Sequence, residues 1–201
     1  CELPLDVIIA LKKAYKLEKG VAKTQIETIL KNIDIAKKTK RPMCQDTGIQ
    51  TFFVNIGVEF PYINKLENFI INGVKKATFN VPLRPNTVDP FTDKNHGDNV
   101  GDHIPYITWN FCKGSEVYIT VLPKGGGSEN MSKLGMLKPG VGIEGVKNFI
   151  VEEMIKAGGN PCPPTIVGVG IGGGADLALK LGKIALLRPV GVFHKDKTIA
   201  K

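Results

Sequence analysis

The segment Arg41–Gly48 constrains the fold of this chain most, because its residues cannot continue a helix. Pro42 disfavours the helical region for the residue before it, and Thr47-Gly48 is a typical turn pair. Apolar residues at helical spacing precede this segment, and a strand-like apolar run follows it. The segment therefore predicts a loop between a helix and a strand, in which Cys44, Gln45 and Asp46 lie side by side.

The apolar pattern elsewhere predicts a mixture of helices and strands. Expected helices begin at Leu5, at a capping box on Thr24 and at Asn64, and two more cover 143–157 and 175–187. Expected strands cover 49–57, 104–112, 116–122 and 165–169, with the second and third joined as a hairpin by residues 113–115. We therefore predict an α/β (α+β) fold, a layered mixed β-sheet flanked by helices, with a long functional loop over 81–103.

The composition is that of an ordinary globular protein: 201 residues, 42% hydrophobic and 23% charged. We expect a single domain over 1–201. Because the chain begins without Met and ends in a stretch that resembles a helix start, we expect it to be truncated at both ends. No apolar run reaches the ~18 residues that span a bilayer, and no signal segment is evident. We therefore expect a cytoplasmic protein without a membrane partner.

The net charge of +8 comes almost entirely from lysine, since arginine occurs only at positions 41, 84 and 188. Nucleic-acid-binding proteins usually cluster arginine among aromatic residues, so we expect no nucleic-acid partner. A mild positive field suits a small anionic substrate instead. Arginine binds carboxylates bidentately, which makes Arg84, in a proline-flanked loop, a candidate ligand, although a surface arginine would look the same.

The four cysteines, at positions 1, 44, 112 and 162, form no CxxC pair and do not predict a disulfide scaffold. Cys44 and Cys162 each lie in a loop that contains proline. Thiolates on separate loops can converge on an iron–sulfur cluster. The alternative is that both are buried free cysteines, and Cys112, in an apolar strand, is expected in the core.

Two glycine-rich segments could bind anions. Lys124–Asn130 could form a backbone nest, with Ser128 capping a following helix, but it lacks the Lys-Ser/Thr pair of a P-loop. Gly168–Gly173 matches GxGxxG between a predicted strand and a predicted helix. This context leaves a dinucleotide-binding module open as an alternative function, although no second strand ending in an acidic residue follows at the expected distance.

Taken together, these segments resemble class I (iron–sulfur) fumarate hydratase, in its alpha-subunit or N-terminal-domain form. The iron–sulfur L-tartrate dehydratase alpha subunit shares the same motifs. The resemblance runs in order along nearly the whole chain, and it is carried by the segments Pro42–Gly48, Pro123–Asn130, Asn160–Thr165, Gly168–Gly173 and Ala185–Gly191.

The resemblance implies a hydro-lyase that hydrates fumarate reversibly to L-malate, using a 4Fe-4S cluster whose open iron acts as a Lewis acid. Three cysteines hold the cluster in that family. Cys44 and Cys162 match two of these positions, and the third ligand is not in this chain. We therefore expect that this chain alone holds no intact cluster and is inactive.

The resemblance also assigns roles around the implied substrate, a dicarboxylate such as fumarate or malate. Gln45, Asp46, Arg84 and Gly127 match substrate-binding positions, and Asp46 matches a catalytic one that orients the substrate hydroxyl or water. Gln45 would donate to a carboxylate, Arg84 would clamp one bidentately, and Gly127 would let the backbone approach the ligand. The implied partner is a beta subunit or a C-terminal domain, in an oligomer.

Overall fold

In the computed structural model, which describes residues 1–200, the chain divides into two compact units. One unit is Cys44–Thr165, and the segments on either side of it form the other. Helices accompany a three-stranded mixed sheet, which confirms the predicted α/β class. A single domain over 1–201 stays a prediction. No helix within residues 1–200 has the length and apolar character to cross a membrane.

The helices and strands follow one another in an order close to the predicted one. In chain order they are α1 Leu5–Leu17, α2 Gly20–Thr39, β1 Ile49–Gly57, α3 Leu66–Asn80, β2 Tyr106–Cys112, β3 Val117–Lys124, α4 Gly126–Glu129, α5 Gly142–Ala157 and α6 Ala175–Ala185. Short 3-10 turns at Ile63–Lys65 and Pro139–Val141 precede α3 and α5.

Helices α1 and α2 pack together within the unit formed by the outer segments. Their buried side chains are Leu11, Ile26, Ile33 and Ala36. Helix α2 begins at Gly20, a turn earlier than predicted, and the Thr24 hydroxyl donates to the Gly20 carbonyl at 3.4 Å. The predicted capping box is therefore wrong, because Thr24 lies inside the helix rather than at its start.

Strand β1 lies at the centre of the sheet, in the order β2-β1-β3. It pairs parallel with β2 and antiparallel with β3, so the predicted hairpin between β2 and β3 is wrong. Phe52, Val54 and Ile56 of β1 are buried, whereas β2 and β3 are largely exposed. The most buried strand is thus the one with neighbours on both sides, and α3 provides the crossover that a parallel β1–β2 pair requires.

Helix α3 covers one face of this sheet. Its buried positions Leu66, Ile70, Val74 and Thr78 recur every four residues, and the first three form the core together with β1. Helix α3 begins two residues after the predicted start at Asn64, which lies in the preceding 3-10 turn, and no side chain caps α3. The core of the Cys44–Thr165 unit is therefore one strand face against one helix stripe.

Replacing Gly57 by alanine should destabilise the protein. A Cβ at Gly57 would lie 2.0 Å from the Gly114 carbonyl oxygen, where the connection between β2 and β3 passes the end of β1. Overpacking of this kind costs about 1–3 kcal/mol. A matched control is Gly73→Ala in α3, where a Cβ meets no atom within 4 Å and alanine should stabilise by about 0.5–1 kcal/mol. Urea denaturation should move the midpoints in opposite directions, and equal midpoints would contradict the sheet order.

The strand predicted over 165–169 is absent, and this segment is irregular and largely exposed. Gly168 and Gly170 pack against α6 instead: Cβ atoms there would lie 2.2 Å from the Gly182 carbonyl oxygen and 2.0 Å from that of Ala178. The GxGxxG segment therefore lacks the preceding strand that a dinucleotide fold needs. Its first two glycines are explained by the close approach of the chain to a helix, which removes the support for the dinucleotide alternative.

Candidate active site

Three loops of the Cys44–Thr165 unit meet at one end of the sheet. We call them the Cys44 loop (44–48), the Arg84 loop (82–86) and the glycine loop (125–127). Ile49 of β1 pairs with Lys124 of β3, so the Cys44 loop enters the sheet beside the point where the glycine loop leaves it. The strand register therefore brings together two segments that lie far apart in sequence.

Glycine is required where the Cys44 loop and the glycine loop touch. Gly48 has φ +71°, and a Cβ there would lie 2.0 Å from the Lys124 carbonyl oxygen. A Cβ at Gly125 would lie 2.8 Å from Oδ2 of Asp46. A side chain at Gly48 would push the two loops apart, and one at Gly125 would displace the Asp46 carboxylate, so these glycines set the distance between Asp46 and the backbone that faces it.

The Asp46 carboxylate binds the glycine loop. Its Oδ2 accepts a hydrogen bond from the Gly127 N–H at 3.0 Å. Hydrogen bonds from the N–H groups of Gly127, Gly126 and Gly48, together with the nearby Arg84 charge, hold the pKa of Asp46 below its ordinary value, although partial burial opposes the shift. Asp46 is therefore a fixed carboxylate at neutral pH and can accept a hydrogen bond.

The glycine loop forms the predicted backbone nest, and the anion that it holds is the chain's own Asp46 side chain. The predicted cap at Ser128 is wrong, because Ser128 lies inside the single turn α4. Its hydroxyl donates to the Gly125 carbonyl at 3.1 Å and lies 3.1 Å from the Lys124 ammonium, which also pairs with Glu129 at 3.3 Å. These contacts stabilise the glycine loop.

The Arg84 loop is tied to the Cys44 loop. The Arg84 N–H donates to Oγ1 of Thr47 at 2.9 Å, and the Asn86 side-chain amide donates to the Gly48 carbonyl at 3.1 Å. The Arg84 side chain itself is exposed. A cation with a fixed backbone and an accessible head group is suited to binding a carboxylate from solution.

Cys44, Gln45 and Cys162 are exposed. The alternative of buried free cysteines is therefore wrong, and so is the expected core position of Cys112, which is exposed as well. The Cys44 thiol lies 3.4 Å from the Asp46 carbonyl oxygen, inside its own loop. Hydrogen-bond partners hold the backbone of this loop and leave the thiol and the Gln45 side chain accessible.

The loop that carries Cys162 lies against the glycine loop. The Asn160 carbonyl oxygen would be 3.5 Å from a Cβ on Gly127. Cys162 itself has a left-handed backbone, with φ +58°, a conformation that is uncommon outside glycine. The structure thus connects five of the predicted positions through direct or neighbouring contacts. Asp46 binds Gly127, and the Arg84 charge interacts electrostatically with the Asp46 carboxylate. Cys44 adjoins Asp46, and the Cys162 segment borders Gly127.

The donor set fits two ligands of an iron–sulfur cluster. Cys44 and Cys162 both offer soft, accessible thiols. Cys44 lies beside Asp46, and the loop of Cys162 borders Gly127. Thiolate sulfur is the ligand that iron–sulfur clusters prefer. Within residues 1–200, no three His, Cys, Asp or Glu residues converge in a group that could hold a metal ion. A cluster on these two thiols would therefore require a further ligand from outside the described residues.

The sequence interpretation missed the polar residues that hold the loops. Thr47 and Asn86 join the Cys44 and Arg84 loops, and Asn99 joins the Arg84 loop to α3. The sequence indicates only that Asn99, next to Asp98 in a region rich in glycine and asparagine, can adopt a turn conformation. Its partners are 13 to 21 residues away along the chain, so no local pattern reveals them.

Comparison with known proteins shows which family this chain belongs to. The chain is 51% identical over 203 residues to a Methanocaldococcus jannaschii protein named "Putative L(+)-tartrate dehydratase subunit alpha", covering 98% of this chain and 71% of that protein. It is 36% identical over 201 residues to the L(+)-tartrate dehydratase subunit alpha of Escherichia coli O157:H7, covering 99% of this chain and 66% of that subunit. The family model described as "Fumarate hydratase (Fumerase)" matches residues 1–201, so the chain belongs to the Fumerase family.

Proposed function

We propose that this chain is the substrate-binding and cluster-bearing part of a hydro-lyase for four-carbon dicarboxylates, with the reversible hydration of fumarate to L-malate as its reaction. One observation carries the proposal: the Asp46 carboxylate is fixed by the glycine loop beside the accessible guanidinium of Arg84. A fixed anion next to an accessible cation can bind both ends of a hydroxy acid, its hydroxyl and its carboxylate. Membership of the Fumerase family supports the same reaction class.

Arg84 and Gln45 would bind and orient the substrate. The guanidinium can take one carboxylate in a bidentate geometry, and the exposed Gln45 amide can donate to a carboxylate oxygen. The exposed backbone of Gly127 leaves room for the ligand, because no Cβ stands in the way. Holding both ends of a small, flexible acid removes much of the entropic cost of reaching a reactive geometry.

Asp46 would act on the hydroxyl that leaves or enters. Because its pKa lies below the ordinary value, Asp46 stays ionised at neutral pH and accepts the hydroxyl proton in a hydrogen bond. This contact would orient the C–O bond that breaks. The proton on the adjacent carbon needs a separate base, which we assign to the partner domain or subunit.

Cys44 and Cys162 would hold two iron atoms of a 4Fe-4S cluster. When bound, such a cluster supplies a Lewis acid that makes hydroxide a better leaving group. The two thiols lie on loops that adjoin Asp46 and Gly127, which supports a common site for the cluster and the substrate. The third cysteine ligand would come from the part of the enzyme beyond this chain.

The names of the relatives support a partner subunit. Both proteins described above are named alpha subunits, and this chain spans 71% and 66% of their lengths. We propose that the complete enzyme contains a beta subunit or an equivalent C-terminal domain and that it is an oligomer located in the cytoplasm. By this proposal, residues 1–201 alone hold no intact cluster and do not turn over substrate.

L(+)-tartrate is the second candidate substrate. It is favoured by the names of the relatives, which are L(+)-tartrate dehydratase alpha subunits. Tartrate differs from malate by one more hydroxyl, which a site that hydrogen-bonds it can distinguish by about 10⁴–10⁵-fold.

The substrate is tested with the full-length protein, copurified anaerobically with its partner. We expect the complex to dehydrate a dicarboxylate. The reaction is measured by the absorbance of the product, which is fumarate from L-malate or oxaloacetate from L(+)-tartrate. Faster turnover of L-malate would support the fumarate reaction, and faster turnover of L(+)-tartrate would replace it with the second candidate. An assembled complex that contains the cluster but turns over neither acid would overturn both.

A further inference from the structure

Asn99 is the most deeply buried polar side chain outside the three loops. Only 2% of its surface is exposed, and its backbone has φ +59°. Asparagine tolerates this left-handed conformation better than most residues do. It lies in the long connection between α3 and β2, where a buried amide has no secondary structure to bind it. A buried amide in an irregular loop is stable only if its polar atoms find partners.

All three polar contacts of Asn99 hold other segments in place. Its Oδ1 accepts from the Asn86 N–H at 2.7 Å, and its Nδ2 donates to the Arg84 carbonyl at 3.0 Å. The other amide hydrogen donates to Oγ1 of Thr78 at 3.0 Å. Thr78 is buried in α3, and its hydroxyl also lies 2.9 Å from the Val74 carbonyl oxygen. Asn99 thus connects the backbone on both sides of Pro85 to a core helix.

The opposite side of Arg84 is held by the Cys44 loop. The Arg84 N–H donates to Thr47 and its carbonyl accepts from Asn99, so both backbone polar groups of this residue are bonded by side chains. The chain around Arg84 contains Pro82 and Pro85, which cannot donate a backbone hydrogen bond. Side chains therefore replace the regular structure that would otherwise fix this arginine.

We propose that Asn99 is a positioning residue for dicarboxylate binding, acting through the backbone of Arg84. The inference rests on the function proposed above, in which Arg84 binds a substrate carboxylate. Asn99 does not touch the substrate; it sets where the Arg84 side chain originates relative to Asp46. Since an error of 1 Å in the position of a binding group can cost about 100-fold in rate, a bidentate contact depends on this support.

The test compares Asn99→Gly and Asn99→Asp in the assembled full-length enzyme. Glycine keeps the positive φ and removes all three contacts. Aspartate keeps the acceptor for Asn86 and loses both donors, and it serves if the glycine variant fails to assemble. We expect KM for the dicarboxylate to rise about 10- to 100-fold in either variant, with a smaller change in kcat. Asn110→Ala is the control, because Asn110 makes an exposed amide contact to Asn55 on the sheet and should leave KM unchanged.

A double-mutant cycle with Arg84→Lys separates positioning from general stability. If Asn99 acts through Arg84, the variant Arg84→Lys/Asn99→Gly should have nearly the KM of Arg84→Lys alone. Effects that multiply, or an unchanged KM in both Asn99 variants, would overturn the inference while turnover by the wild-type enzyme upholds the proposed function. A cluster-containing wild-type complex without turnover of either dicarboxylate would overturn both.

Discussion

Replacing Cys44 by serine should abolish both the iron–sulfur absorbance and the turnover of the assembled enzyme. A serine hydroxyl is a harder ligand than a thiol and is not ionised at neutral pH, so it binds iron–sulfur clusters poorly. Even changes in the outer shell of a metal site cost about 10–100-fold, and loss of a direct ligand should exceed this. Cys162→Ser should give the same result, because its loop borders the same glycine loop.

Cys112→Ser is the matched control for these variants. Cys112 is also a free, exposed cysteine of the same compact unit, but it ends strand β2 rather than lying in one of the site loops. The iron–sulfur absorbance and the iron content should be normal in Cys112→Ser and lost in the other two. Normal iron content in Cys44→Ser or Cys162→Ser would show that the cluster is bound elsewhere.

The sequence predicts the strands of this fold better than their pairing. Runs of β-branched and aromatic residues bounded by glycine and other turn residues locate β1, β2 and β3 to within a few residues, because this signal is local. The pairing of β1 with both neighbours depends on how α3 crosses over and packs against β1, whereas the short connection at 113–115 resembles that of a hairpin. The same limit explains the false strand at 165–169, where glycines that pack on α6 separate exposed apolar residues.

In the candidate site, too, the sequence predicts local features better than contacts between distant segments. Cys44, Gln45 and Asp46 are adjacent in sequence, so their proximity follows from one motif. That Asp46 binds the glycine loop follows from the antiparallel pairing of Ile49 with Lys124, which no local pattern contains. Asn99 is harder still to predict, because the groups it binds become neighbours only after the long loop folds against α3.

Changing Asp46 to asparagine should lower kcat about 100-fold, the usual cost of misplacing a reacting group by about 1 Å. The amide oxygen can still accept from the Gly127 N–H, but the amide NH₂ group would then face the other N–H donors of the glycine loop. Because the NH₂ group and the backbone N–H groups are all donors, the favourable hydrogen bonds are lost and the groups repel one another. Asp46→Glu should also lower kcat, because an added methylene moves the carboxylate from the position in which it accepts the Gly127 N–H at 3.0 Å.

Asp89→Asn provides the control for this change. Asp89 is a second carboxylate of the same unit that accepts two backbone N–H bonds, from Phe91 at 2.8 Å and Thr92 at 3.0 Å, and these bonds hold its pKa below the ordinary value. It lies outside the three site loops, so its asparagine variant should retain wild-type kcat. Steady-state kinetics at equal cluster content compare the variants. Normal kcat in Asp46→Asn would remove Asp46 from the reaction, whereas equal losses in both variants would show that the effect comes from loop stability and not from chemistry.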